Sequence, residues 1–290
     1  MTTPESRDAL AHLLGLFELA PSQPDGYVGQ SLDLGFRNLF GGHILGQSLM
    51  AAGLTCGERQ AHSLHAYFLR GGDAQQPVHY QVDRIRDGGS FSVRRVTASQ
   101  HGKPILILST SFQVDEPGFE HQLAMPDVPS PDGLAPFTEI SRPLADAVNS
   151  GREITSARAI EIRPVPRDAL PPARRDEPAQ YMWMRAAGPV PDGAALHRSL
   201  LAYASDFALL STAMLPHGVG YYTPGMLMAS LDHAMWFYGD FRVDDWLLYA
   251  MDSPAAAGAR GLARGNVFRR DGTLVACVAQ EGLMRMPSRA

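Results

Sequence analysis

Between Arg198 and His217 the sequence carries one charged side chain, Asp206, inside the stretch LAYASDFALLSTAM. A carboxylate taken out of water without a partner is strongly disfavoured, so this one needs either polar company or solvent. Two further polar side chains interrupt apolar rows. In MLMASLDHAMWFY, strand alternation puts Met226, Met228, Ser230, Asp232 and Trp236 on one face and His233 on the other. In LVACVAQEGLMRM, Leu274, Ala276, Val278 and Gln280 share a face, with Glu281 and Arg285 opposite. A buried amide needs several hydrogen bonds. One pocket shared by Asp206, Ser230 and Gln280 would satisfy all three, setting a proton-accepting carboxylate beside a hydroxyl and an amide. Spacing alone leaves a second reading open, in which Ser205 and Asp206 form a narrow strip facing water.

Other chemistries lack their residues. The chain has no GxSxG elbow, no GxGxxG or Walker loop, and no HExxH. His62 and His65 in HSLH fall on opposite faces of an apparent strand and read as structural. Cys56 and Cys277 lie far apart in apolar contexts without metal-binding spacing, so we expect reduced core residues and no metal. A formal net charge of -5 gives no reason to expect a nucleic-acid partner. The start, MTTPESRDALAHLLGLFELAP, lacks a basic, long apolar signal pattern, and no run reaches the roughly 18 apolar residues of a membrane span. The final SRA is a poor peroxisomal tripeptide. The expected location is cytoplasmic.

Two sets of similar elements must position the polar trio. HAYFLRGGD from His65 resembles HAMWFYGDF from His233, and YQVD (Tyr80 to Asp83) lines up with YAMD (Tyr249 to Asp252). HGKPILILSTSF parallels RDGTLVACVAQE, a Gly turn followed by an apolar strand. Each set opens on an apolar helix, GGHILGQSLMAAGL in the first and LHRSLLAYASDFALLSTAML in the second, followed by strands joined at turns such as RDGGS and RRDG. In the second helix Leu196, Leu200, Tyr203, Phe207, Leu210 and Met214 form a stripe with alternating four- and three-residue steps. A helix apolar nearly all round is a buried helix. The expectation is an α+β fold of two repeats, each a long helix against an antiparallel sheet. The boundaries are 1–115 for the first repeat, 116–150 for a Pro- and Asp-rich, partly mobile linker, and 151–290 for the second repeat.

SLDHAMWF, DWLLYAMDSP, GARGLARGNVFRRDGTLVACVAQEGLMR, NLFGGHILGQSL, HAYFLRGGD and RDGGSFSVRRV together resemble the acyl-CoA thioesterase II family, from about Gly29 to Arg285. That resemblance implies a double hot-dog fold, two helix-and-sheet units fused in one chain. It also implies hydrolysis of fatty acyl-CoA to free acid and coenzyme A, with no cofactor. The family's catalytic Asp, hydroxyl residue and Gln fall on Asp206, Ser230 and Gln280, where Asp206 would activate a water held by the other two. The hydroxyl residue is commonly Thr, and Ser230 lacks the methyl that restricts its rotamer. If the first helix places Gln47 at the position of Asp206, that copy has no carboxylate. The GGH at Gly41 to His43 opens the first helix. It is either a tight turn or a source of donors for the thioester oxygen, with Gly42 and His43 as candidate substrate-binding residues. Arg94, Arg95, Arg260 and Arg264 sit at matching places in the two repeats. Arg94 and Arg264 are the candidates for coenzyme A phosphates, against solvated surface arginines. A hot-dog hydratase using a His233/Asp232 pair and a non-catalytic acyl-CoA-binding protein are the competing readings. Self-association as a dimer or tetramer is expected.

Overall fold

Alternating apolar residues between Gly-rich turns produce antiparallel strands, thirteen of them among the described residues, all joined in one sheet. The structure is a computed structural model that describes residues 4–35, 38–138, 159–174, 177–221 and 223–286. The first half supplies β1 (Ala20–Gln23), β2 (Gly26–Gly29), β3 (Gln60–Phe68), β4 (Val78–Asp87), β5 (Phe91–Gln100) and β6 (Lys103–Gln113). The second supplies β7 (Ile160–Pro164), β8 (Ala179–Ala186), β9 (Leu227–Ser230), β10 (Asp232–Phe237), β11 (Leu247–Ala257), β12 (Arg260–Arg269) and β13 (Leu274–Arg285). The halves meet where β3 pairs antiparallel with β10, Ala66 opposite His233. Outward from that seam the order is β3-β6-β5-β4-β2 on one side and β10-β13-β12-β11-β8 on the other, so the two halves mirror each other.

The helices that bear on the site, among the described residues, are α1 (Pro4–Leu16), α2 (Gly41–Gly53), α3 (Ala194–Ser205) and α4 (Leu209–Thr212). Along α2 and α3 the residues are buried over almost every turn, as their apolar composition requires. The two pack directly on each other, and glycine makes this possible. A Cβ on Gly46 would lie 2.7 Å from the Ser199 carbonyl oxygen, and one on Gly42 would fall on the Tyr203 carbonyl oxygen. The helices therefore run in opposite senses, with the start of α2 against the end of α3. Such backbone contact leaves no room for a side chain at Gly42 or Gly46 unless the helices separate.

Three details differ from the reading of the sequence. His65 is exposed while His233 is fully buried, so the two HA motifs are one residue out of phase; Tyr80 and Tyr249, both buried, are in phase. The single helix expected through Met214 is broken after Ser205. The segment expected as a partly mobile linker is, over residues 116–138, fastened to the second half. Gln122 donates to the Gly272 carbonyl at 2.8 Å, the Trp183 indole to the Pro129 carbonyl at 2.8 Å, and Arg163 to the Pro131 carbonyl at 2.8 Å. Met125, Val128 and Leu134 add apolar contact there. Residues 139–150 of that segment lie outside the described residues.

Candidate active site

The break after Ser205 places the carboxylate. Asp206 caps the C-terminus of α3 with helical dihedrals (φ -80°, ψ -13°), and Ala208 then turns left-handed at φ 64° before α4 begins. A non-glycine residue in that conformation costs roughly 1–2 kcal/mol, and neither Gly nor Pro marks the position. Gln180 on β8 compensates, its amide reaching the Ala208 carbonyl (2.8 Å), Ser211 Oγ (3.0 Å) and Thr212 Oγ1 (2.7 Å). Tyr249 on β11 donates its hydroxyl to the Ser205 carbonyl at 3.0 Å, satisfying a last-turn acceptor.

Asp206, Ser230 and Gln280 come together. Gln280 Nε2 donates to Asp206 Oδ1 at 3.0 Å and to Ser230 Oγ at 2.5 Å. The other carboxylate oxygen, Oδ2, accepts the Gly42 backbone N–H at 2.8 Å. Gly41 beside it must also be glycine, since a Cβ there would lie 2.7 Å from Asp206 Oδ2 and 3.0 Å from the Phe68 ring. Asp206 thus sits at the negative end of its own helix and the positive end of α2, and only the second favours an anion. The residue is partly exposed, and each of its carboxylate oxygens accepts a hydrogen bond. Burial pushes its pKa above the ordinary 3.8, against the opposing pull of Gln280 and Gly42. The phenol of Tyr249, fully buried, is raised by burial and, secondarily, by the Asp206 charge.

Strand alternation alone misplaces His233. Ser230 lies opposite Gly282, but Ala234 lies opposite Ala279, so β9–β10 carries one more residue than β13 over this span. That bulge at Leu231 flips the phase. His233, Met235 and Phe237 therefore face the same interior that Ser230 borders, where alternation had sent His233 to the far side. The His233 ring Nε2 lies 3.0 Å from Ser205 Oγ, and Asp232 accepts the Glu281 N–H at 2.7 Å. His233 and Asp232 go to separate partners, which removes the His/Asp pair considered for a hydratase.

The remaining candidates stand apart from the trio, Gly42 excepted. Gly42 holds the carboxylate. The GGH segment is the first turn of α2, and the His43 N–H closes onto the Phe40 carbonyl at 3.1 Å. The His43 imidazole is fully buried, 3.0 Å from the Gln30 carbonyl, and desolvation lowers its pKa to about 4. It is a neutral packing residue here. Arg94 is buried to 1% exposure, and its guanidinium is spent on Thr55, Asp87 and the Arg86 and Val93 carbonyls. No donor is directed outward for a phosphate. Arg264 is exposed but forks onto Asp252 (2.9 and 2.8 Å), and Arg260 bonds Glu281 at 2.9 Å. Gln47 donates to the Leu16 (2.6 Å) and Gln30 (3.1 Å) carbonyls and accepts the Tyr80 hydroxyl (2.6 Å). Along α2, GGHILGQSLMAAG, the first half carries no carboxylate at all.

Reading the sequence gave no site role to Gln180 or Tyr249. The four-residue spacing of Gly42 and Gly46 was a usable signal for the helix crossing.

Solved structures resemble this architecture over nearly its whole length. A protein from Alicyclobacillus acidocaldarius described as having a hot dog fold matches with a TM-score of 0.76 at 20% identity, covering 95% of this chain and 98% of that one. The fold is thus of the hot-dog type, a large antiparallel sheet with few helices. An acyl-CoA thioesterase II from Mycobacterium marinum matches with a TM-score of 0.82 at 42% identity, covering 96% of this chain and all of that one. Acyl-coenzyme A thioesterase 8 of Homo sapiens is 42% identical over 93% of this chain and 88% of its own. The family models for acyl-CoA thioesterase and for the acyl-CoA thioesterase N-terminal domain match residues 157–283 and 32–113. The chain belongs to the acyl-CoA thioesterase family, a family of thioester hydrolases.

Proposed function

We propose that this protein hydrolyses fatty acyl-CoA with a water molecule activated by Asp206 and oriented by Ser230 and Gln280. The observation that carries the reading is the double commitment of Gln280 Nε2 to Asp206 and Ser230 beside a carboxyl of raised pKa. With the Gln280 amide donating to it, the Ser230 oxygen is an acceptor, and its own proton is available to a water. That water, also bonded to Asp206, attacks the thioester carbonyl carbon as its proton passes to the carboxylate. Collapse of the tetrahedral intermediate breaks the C–S bond, and the proton returns to the departing sulfur. General-base assistance of this kind is worth typically about 10² to 10⁴ in rate. The Gly42 N–H keeps one carboxylate oxygen fixed while the other faces Gln280.

Two further parts of the reading concern the frame. Residues 1–115 and 151–290 are two copies of one hot-dog unit, supported by the mirrored strand order and the in-phase Tyr80 and Tyr249. Copies of the chain associate. Tyr67 and Ile107, cross-strand neighbours that are 59% and 38% exposed on the outer sheet face, suit such a contact.

The test is thiol release from a panel of acyl-CoAs by the wild type and by Asp206→Asn. Release by the wild type and its loss in the variant, by about 10² or more, are expected. An inactive wild type would refute the activity, and an unimpaired variant the role of Asp206. Single turnover in ¹⁸O-water separates water attack from attack by Asp206 itself, because label entering the Asp206 side chain would contradict the water mechanism.

A further inference from the structure

Two buried polar atoms at the site are left over: His233 Nδ1 and Gln280 Oε1 have no hydrogen-bond partner. They belong to facing residues. Ala234 lies opposite Ala279 across β10 and β13, so His233 and Gln280 are the next residues on the two facing strands, and their side chains are 0% and 1% exposed. Cross-strand neighbours have Cβ atoms roughly 4.5–5.5 Å apart, within side-chain reach of a hydrogen bond. The Gln280 amide favours the protonated imidazole, as a nearby acceptor does, against the desolvation that lowers the His233 pKa to about 4.

The amide of Gln280 can point either way. Only with Nε2 toward Asp206 and Ser230 does it donate to both; reversed, its oxygen would face a carboxylate. A donor at Oε1 would select the working orientation.

We propose that His233 is the positioning residue for Gln280: its neutral imidazole carries the proton on Nδ1, donates it to Gln280 Oε1, and accepts the Ser205 hydroxyl at Nε2. The chain of bonds then runs Ser205, His233, Gln280, Asp206, from the end of α3 across two strands and back to the residue after it. The opposite arrangement has Ser205 donating to the Ala202 carbonyl at 2.9 Å. That would put the imidazole proton on Nε2 and leave Nδ1 bare against Oε1.

The effect on turnover rests on Gln280 belonging to the water-orienting trio, whereas the contact itself does not. Long-range ¹H–¹⁵N correlation of the His233 ring in the full chain reads the tautomer directly. A proton on Nδ1 is expected, and a proton on Nε2 overturns the proposal. In turnover, His233→Leu is expected to lower kcat about ten-fold with KM unchanged, the loss of one orienting hydrogen bond. His233→Asn, whose side-chain amide can donate from near the Nδ1 position, recovers most of that loss. In a Gln280→Ala background, His233→Leu adds nothing further. Additive losses in the double variant would show that His233 does not act through Gln280. If Gln280→Ala alone leaves kcat intact, the role of Gln280 fails, and the tautomer still decides the contact. Should His233→Leu not fold, the wild-type spectrum and His233→Asn carry the test.

Discussion

Gly46→Ala should damage catalysis from a full helical turn away. The Cβ it adds would lie 2.7 Å from the Ser199 carbonyl oxygen and 2.9 Å from the Phe17 ring. The backbone oxygen cannot rotate aside, so α2 and α3 must separate by about 0.7 Å to restore ordinary contact. Carried to the start of α2, the same displacement stretches the Gly42 N–H bond to Asp206 from 2.8 Å to the limit of a hydrogen bond. Overpacking a core costs up to about 3 kcal/mol, of which alanine's better helix propensity returns about 1. The net loss of about 2 kcal/mol corresponds to a fall of roughly 3 °C in Tm for a chain of this size. A hydrogen bond to a charged group is worth about 1.5–3 kcal/mol, so kcat should fall about 10- to 150-fold. Thermal unfolding and thiol release on the same preparation measure both. Gly15→Ala on α1, where nothing lies within 4 Å, is the control and should melt no lower than the wild type. Wild-type Tm in Gly46→Ala would refute the close crossing. A lowered Tm with intact kcat would refute the claim that the crossing holds the carboxylate.

Other perturbations test the remaining parts of the site. Because burial raises the Asp206 pKa and Gln280 opposes that rise, the acid limb of kcat/KM should lie above the ordinary carboxylate value of 3.8 and move further up in Gln280→Leu; a limb that moves down contradicts the assignment. Gln180→Leu removes the donors that hold the left-handed turn at Ala208, and should lower both stability, by about 1–3 kcal/mol, and kcat, read by denaturant unfolding and thiol release. Arg94→Leu should lower Tm yet leave KM for acyl-CoA unchanged, since its guanidinium serves Thr55 and Asp87; a raised KM would restore it as a phosphate ligand. Ser230→Ala should lose kcat while Ser230→Thr keeps it, the oxygen being the part that Gln280 engages.

What could be read from one sequence was whatever depends on a single element's period. Alternation in LVACVAQEG is enough to turn Gln280 inward, and the apolar stripe is enough to bury α3. What could not be read depends on a second element. The bulge at Leu231 exists only relative to β13, so alternation alone sends His233 to the wrong face, while Gln280 and Ser230 lie within hydrogen-bond distance. The matching HA motifs at His65 and His233 concealed this, being out of phase by the same single residue. The break at Ala208 likewise carries no Gly or Pro, because the bonds that stabilise it come from Gln180 on another strand. These hidden features are the ones that make an apolar helix compatible with a charge. Asp206 does not interrupt α3; it ends it. The backbone turns away at the residue where the next peptide dipoles come from α2, and an anion that the end of one helix disfavours is held by the beginning of another.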